Sequence, residues 1–269
     1  MLIKSTVNLT KLIVFSGLFF FSACSKTTYP RETIENDVVR IVERETGLSS
    51  SASLVGSTFY LKVALPDLIN TQADIQKEVM KNLQKVNLAI IRVSLSTNAK
   101  IDYLVMIVDL PGWKTNFSIT QRLEDLKGFL YHRISKADYE ERVIYDLKDP
   151  KGYDTEPFKD ISRNEFIVKL ILSKVNWIKM SNPFVNAALG LKLDLVNYTD
   201  SSIVLKTSVM REGNELASGY IEKTLSEWAN KVVAKYKAYN FKELKVVDEK
   251  GKPIIDIKIS SSAANSKNR

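Results

Sequence analysis

The clearest signal along the chain is a recurring apolar spacing. Ile34, Val38, Ile41 and Val42 fall three and four residues apart, which puts them on one face of a helix. Acids occupy its first turn and Gly47 follows its end, so both helix-end signals are present. SASLVGSTFYLKVAL comes next, two β-rich runs around Val55-Gly56-Ser57, and predicts a hairpin. Thr71-Gln-Ala-Asp74 resembles a capping box and opens a long helix carrying Ile75, Val79, Leu83, Val86 and Ile90. After Asn98-Ala-Lys100, the unbroken run Tyr103–Val108 reads as a central strand. It turns at Pro111-Gly112 into a strand around Trp113–Ile119. Two helices are expected next, from about Gln121 to His132 and from about Lys136 to Leu147.

The second half follows the same plan. Ser162-Arg-Asn-Glu165 is a capping box for a helix with Phe166, Leu170, Ile171, Val175 and Ile178, stopped at Asn182-Pro183. GLKLDLVNYTDSSIVLKTSV alternates on both sides of Asn197–Asp200 and predicts a hairpin. A long helix spans about Asn214 to Ala238, and FKELKVV and PIIDIKI form strands around the turn Asp248–Lys252. Ser57–Lys62 is echoed by Ser201–Lys206, 144 residues on, and YLVMIV by ELKVV about 140 residues on. Ile134–Tyr139 and Ile161–Phe166 share only helix-start chemistry. A hairpin cannot bury its apolar face unaided, but two hairpins under two amphipathic helices can. The expected class is therefore α+β: two similar two-layer units, each helix, β-hairpin, long helix, β-hairpin, with a central helical pair. The predicted first unit with its helical pair covers 31–147, a polar linker 148–161, the second unit 162–259, and a disordered tail 260–269.

The N-terminus breaks this pattern. MLIKSTVNLTK is basic without an acid, and Leu12–Phe21 is almost wholly apolar. Phe21, Ser22 and Ala23 then lead to Cys24, the only cysteine. The apolar run matches a secretory core and is short of the ~20 residues a spanning helix needs. These residues resemble the lipobox of bacterial lipoproteins, although Phe21 stands where that family usually has Leu. The resemblance covers residues 1–24 only. It implies a signal peptide over 1–23, recognition of Phe21, Ser22 and Ala23 by the signal peptidase, and lipidation of Cys24. An ordinary signal peptide with a free Cys24, or an uncleaved anchor, are the alternatives. A lipid there accounts for a single cysteine in a compartment that penalises stray thiols. Residues 24–30 would be the lipidated tether. Its stretch Ser25–Tyr29 reaches at most about 17 Å at ~3.4 Å per residue, which holds the body close to the membrane. In Gram-negative members an Asp after the cysteine favours the inner membrane; Ser25 points to the outer one, facing the periplasm.

Composition adds mainly exclusions. One Cys rules out an internal disulfide and Cys-rich zinc sites, and one His, His132, rules out paired-His metal sites. The residues call for no metal and no cofactor, and no phosphate-cradling glycine loop is present. Net charge is +8, and removing 1–23 takes away Lys4 and Lys11 and no acid. A mixed solvated surface explains that excess; anionic lipid or glycan is the sharper reading. His132 near a helix C-terminus has a structural use, and no Gly-x-Ser-x-Gly elbow accompanies it. Glu140, Glu141, Asp146, Asp149, Asp154 and Glu156 crowd the centre of the chain, but no spacing aligns them for glycoside cleavage, and 149–156 lacks the spacing of a calcium loop. In Lys235–Lys242 cations alternate with aromatics; Tyr236 is expected inward and the lysines outward, and the export signal argues against nucleic acid. Trp113, Trp177 and Trp228 read as core, and the sequons at Asn116 and Asn197 as accidental.

The expected function is a lipid-anchored cell-envelope protein, a non-enzymatic binding or assembly module with another envelope protein as partner. A carboxylate-dependent envelope glycan hydrolase and a periplasmic small-ligand or glycan-binding module are the alternatives. No catalytic residue is identified.

Overall fold

A computed structural model describes residues 28–65, 77–110, 115–148, 158–181, 193–199, 201–207, 215–236 and 241–259. The first unit runs α1 (Ile34–Thr46), β1 (Ser50–Val55), β2 (Thr58–Ala64), α2 (Lys77–Leu95), β3 (Tyr103–Leu110) and β4 (Thr115–Arg122). Then come α3 (Leu123–Leu130), α4 (Lys136–Glu140) and β5 (Ile144–Lys148). The second runs α5 (Arg163–Ser181), β6 (Leu193–Tyr198), β7 (Ser202–Thr207), α6 (Glu215–Lys235), β8 (Glu243–Val247) and β9 (Pro253–Lys258). The class is α+β.

Local chemistry sets most of these elements. The predicted stripe of α1, Ile34, Val38, Ile41 and Val42, is buried. Gly47 ends the helix at φ 71°, and its N–H bonds the Glu43 carbonyl at 2.8 Å. That left-handed turn is the conformation glycine adopts at least cost. α5 is capped as its sequence implies, with the Ser162 Oγ accepting the Glu165 N–H at 3.1 Å. The Glu165 carboxylate pairs with Lys159 and Lys169 at 3.0 and 2.8 Å.

Both sheets use one pattern. The first is ordered β1-β2-β3-β4-β5 and the second β6-β7-β8-β9. Each unit's hairpins are antiparallel, and the long helix carries the chain across to a parallel pairing, β2 with β3 and β7 with β8. The correspondence reaches single hydrogen bonds. The Ser57 carbonyl accepts the N–H groups of Asp102 and Tyr103 at 2.8 and 3.2 Å; the Ser201 carbonyl accepts those of Lys242 and Glu243 at the same distances. The Asp102 carbonyl accepts the Leu123 N–H at 2.9 Å, and the Lys242 carbonyl accepts the Ile259 N–H at 2.9 Å. The echo of Ser57–Lys62 in Ser201–Lys206 thus falls on the same strand and the same turn.

Two expectations are corrected. The helix from Lys136 to Leu147 is one turn, α4, followed by β5. Ile144 drives the change: as a strand residue opposite Thr120 it is buried against the second unit. The units are also not separate two-layer bodies. One face of the first sheet, with Phe59, Leu61, Leu104 and Met106, packs under α1 and α2. The other, with Tyr60, Tyr103, Val105 and Ile144, shares one core with α5, α6 and the second sheet. The stack is α1/α2, sheet, α5/α6, sheet. This explains why α5 buries Phe166, Ile167 and Val168 in succession, then Leu170 and Ile171: a helix between two sheets buries more than one stripe.

A shared layer couples the units. Leu170→Ala is expected to cost about 2–5 kcal/mol. Urea unfolding followed by tryptophan fluorescence and by far-UV circular dichroism should coincide in one transition, in the variant as in the wild type. Two separated transitions would show that the layers unfold independently.

Candidate functional site

The densest cluster of ionisable side chains lies where α3, α4 and the end of α6 meet. Asp125 on α3 is buried. Its carboxylate accepts from Arg142 at 3.0 Å and from the Tyr236 hydroxyl at 2.7 Å, and Arg122 lies 3.8 Å away. Arg142 also donates to Asp138 at 2.9 Å. Its guanidinium stands 5.3 Å from the centre of the Tyr236 ring, within cation–π range. Lys235 donates to Asp138 at 2.6 Å and to Glu141, which also accepts from Lys231 at 2.6 Å. Lys174 on α5 donates to the carbonyls of Val143 and Glu140 at 3.1 and 3.3 Å. Beside the cluster, the Tyr139 hydroxyl bonds Gln121, and Phe129 stacks on Tyr139 at 4.9 Å.

Electrostatics show what this cluster can do. Burial pushes the Asp138 carboxyl up, but bonds from Lys235 and Arg142 outweigh it and hold the group below its ordinary range. Burial likewise raises Glu141, and Lys231 and Lys235 bring it down further. Burial, then Asp125, pushes the Tyr236 hydroxyl well above its ordinary value. Burial lowers the Lys174 ammonium to about 8, against a smaller opposing pull from Glu141. A general acid needs a raised carboxyl and a general base an accessible one. Here Asp138 and Glu141 stay ionised because cations of the other unit hold them. The arrangement is a clamp between units.

A second clamp sits at the β1–β2 turn. Asp160 Oδ1 accepts the Ser57 N–H at 2.9 Å and the Thr58 hydroxyl at 3.0 Å, and Thr58 Oγ1 accepts the Ile161 N–H at 2.8 Å. Tyr60 donates to the Lys159 carbonyl at 2.6 Å and stacks on Phe158 at 4.5 Å. Gly56 has φ +60°, and a Cβ there would collide with the Asp160 carboxylate. So 158–161, expected within the linker, is bonded to the first unit.

Several predicted positions lie outside the described residues: Phe21, Ser22, Ala23, Cys24, Trp113, Asp149, Asp154 and Glu156. At the start of the described residues the Tyr29 N–H bonds the Ser96 carbonyl at 3.2 Å, and the Arg31 N–H bonds Asn98 Oδ1 at 2.9 Å. His132 is exposed at φ 56° after α3, apart from the clamp. Asp146 is exposed on β5. Tyr236 is buried as expected, but Lys235 is not turned to water: its side chain is 15% exposed and holds two acids. Asn116 is buried, which leaves its sequon inaccessible, and Trp228 is half-buried under Lys231 at 4.7 Å. Asp125 and Arg142 carry no sequence signal, because Tyr236 lies 111 residues from Asp125. Among the described residues, no group of three or more His, Cys, Asp or Glu is placed to hold a metal ion, and no helix is long and apolar enough to cross a membrane. Comparisons with family models, curated proteins and solved structures find no match to this chain.

Asp125→Ala should cost about 1–3 kcal/mol in urea unfolding, since it removes the Asp125 acceptor from the Tyr236 hydroxyl and one of the two carboxylates that hold Arg142. Asp138 and Glu141 have lowered values in the fold, so their contribution is complete above the unfolded value of about 4 and is lost as pH falls through the folded one. Asp138→Asn and Glu141→Gln should flatten the acid side of a plot of melting temperature against pH. Lys174 is shifted in the same direction, but as a buried cation it carries a penalty in place of a contribution. Its folded value is below its unfolded one, so its penalty is complete below about 8 and is relieved as pH rises toward 10.5. Lys174→Met should abolish that alkaline rise.

Proposed function

We propose that this is a lipid-anchored protein of the bacterial cell envelope whose body is a non-enzymatic binding or assembly module. The observation that carries the anchor is Phe21-Ser22-Ala23-Cys24 at the end of a ten-residue apolar run. In this reading the diacylglyceryl group sits on Cys24, residues 1–23 are removed, and the anchor faces the periplasm from the outer membrane if the cell has one. The position of Tyr29 supports it: four residues lie between Cys24 and Tyr29, which is bonded to the body, so the proposed anchor and the fold are close along the chain. Acyl chains contribute about 0.8 kcal/mol per buried CH₂, so several on one residue hold the body at the membrane.

The reading of the body rests on how its ionisable groups are used. The richest cluster of acids and bases is consumed in holding α3 and α4 to α6, and His132 stands apart from it. What the body presents outward is strand edges and mixed charge, surfaces suited to another envelope protein.

Labelling cells with an alkyne fatty acid should mark the wild-type chain and leave Cys24→Ala unmarked. The variant should also leave the membrane fraction. An unlabelled wild-type chain recovered from the cytoplasm would overturn the anchor.

A further inference from the structure

The repeat shows what one strand edge can accept. β9 corresponds to β4, because the Leu123 and Ile259 N–H groups bond equivalent carbonyls at the same distance, 2.9 Å. On β4 the residues facing away from β3 are Asn116, Ser118 and Thr120, and β5 pairs with them antiparallel. On β9 the corresponding outward backbone groups belong to Asp256 and Lys258, since Ile259 and its alternate neighbours Ile257 and Ile255 face β8. Among the described residues no strand pairs with that edge, and β9 ends the sheet. Both edge strands carry a register break, β6 between Leu195 and Asn197 and β9 at Ile254, where Val246 pairs with Ile255 and Val247 with Pro253; Ile255–Lys258, beyond the break, pairs with β8 in unbroken register.

We propose that β9 is a self-association edge, filled by β9 of a second copy of this chain in antiparallel register about a two-fold axis through Ile257. Charge chooses this occupant and this register. An antiparallel two-fold pair sets residues opposite one another symmetrically. With the axis at Ile257, Asp256 faces Lys258 of the second copy and Lys258 faces its Asp256, an opposite-charge pair made twice. Ile257 faces its counterpart, and Ile255 faces Ile259. Moving the axis to Asp256 sets two carboxylates opposite each other, and moving it to Lys258 sets two ammonium groups opposite, both destabilising. The register also respects the backbone, because Asp256 and Lys258 are the residues whose N–H and C=O point outward. Both side chains are exposed, so neither has to leave a core to pair. The chain's own segment 260–269, SSSAANSKNR, has no large apolar residue to alternate along the edge as β5 does. Two four-stranded sheets would become one of eight strands. The pairing does not depend on a lipid at Cys24.

The test uses the full chain, with Cys24 intact and again as Cys24→Ala. Ile257→Cys sits on the axis at a non-hydrogen-bonded position, where facing Cα atoms are about 4.5 Å apart, within disulfide range. Mild oxidation should give a disulfide-linked band of twice the chain's mass that is absent without the new cysteine. Asp256→Cys is exposed, so it cannot fail through core damage; a short bismaleimide should link it across the ~7–8 Å diagonal. Lys258→Asp, added to Ile257→Cys, should lower the linked fraction about tenfold, and Asp256→Lys with Lys258→Asp should restore it. Circular dichroism melts establish that each variant is folded. The proposal is overturned if folded variants stay monomeric or if the exchanged pair links no better than the single reversal. Linking to a species of another mass, or only after deletion of 260–269, would overturn it too, by placing another protein's strand or the chain's own tail on the edge. Failure of lipidation at Cys24 would leave the linked band unchanged, so the two readings fail separately.

Discussion

Phe166 is the contact on which the rest of the architecture depends. Its ring lies 5.1 Å from that of Tyr103 on the first sheet and 6.1 Å from that of Tyr236 at the end of α6. A fully buried aromatic with partners in both units removes apolar surface from water on both sides of α5. Without such a layer the first sheet would expose Tyr60, Tyr103 and Val105, and the second unit would have helices apolar on the wrong side. Neither half is a complete core: the first lacks a cover for one sheet face, the second a sheet for one helix face.

Apolar packing of this kind brings layers together but discriminates poorly between slightly shifted arrangements. The two polar clamps supply the discrimination. Asp160 and Thr58 fix the start of α5 over the β1–β2 turn, and Asp125, Arg142 and Tyr236 fix the end of α6 over α3. Both rely on hydrogen bonds of defined direction, and the two ends they fix meet, Phe166 of α5 lying 6.1 Å from Tyr236. A shift in either would strand buried charge, so each acts as a geometric lock more than as a source of net stability. The use of Asp138, Glu141, Lys231 and Lys235 as lock components is also what removes them from consideration as catalytic groups.

The units share a backbone plan and differ in what they do with its surfaces. The first sheet's far face carries Tyr60 and Val105 and is covered; the equivalent face of the second carries Lys206, Glu243 and Lys245 and is wet. The edge of β4 is capped by β5, while β9 presents Asp256 and Lys258. Each difference places the first sheet inside the stack and the second sheet at its rim, with the polar face and the strand edge turned outward.

Much of this was legible in the sequence. Periodicity places α1, α5, α6 and both hairpins of each unit, because helical and strand spacings are local properties of the chain. The anchor proposed at Cys24 rests on residue types alone. What only the tertiary structure decided involves partners far apart in sequence. The parallel joining of hairpins, the shared layer and the clamps all bring together groups roughly 40 to 110 residues distant, and no local spacing encodes them. β5 is the instructive case. Five residues with one decisive apolar side chain satisfy a helical continuation and a strand equally well, and the open edge of β4 together with a pocket for Ile144 settles the choice. In α5 the spacing of Phe166, Leu170 and Ile171 is a local property, but only the packing of both sheets on the helix shows why Ile167 and Val168 are buried as well.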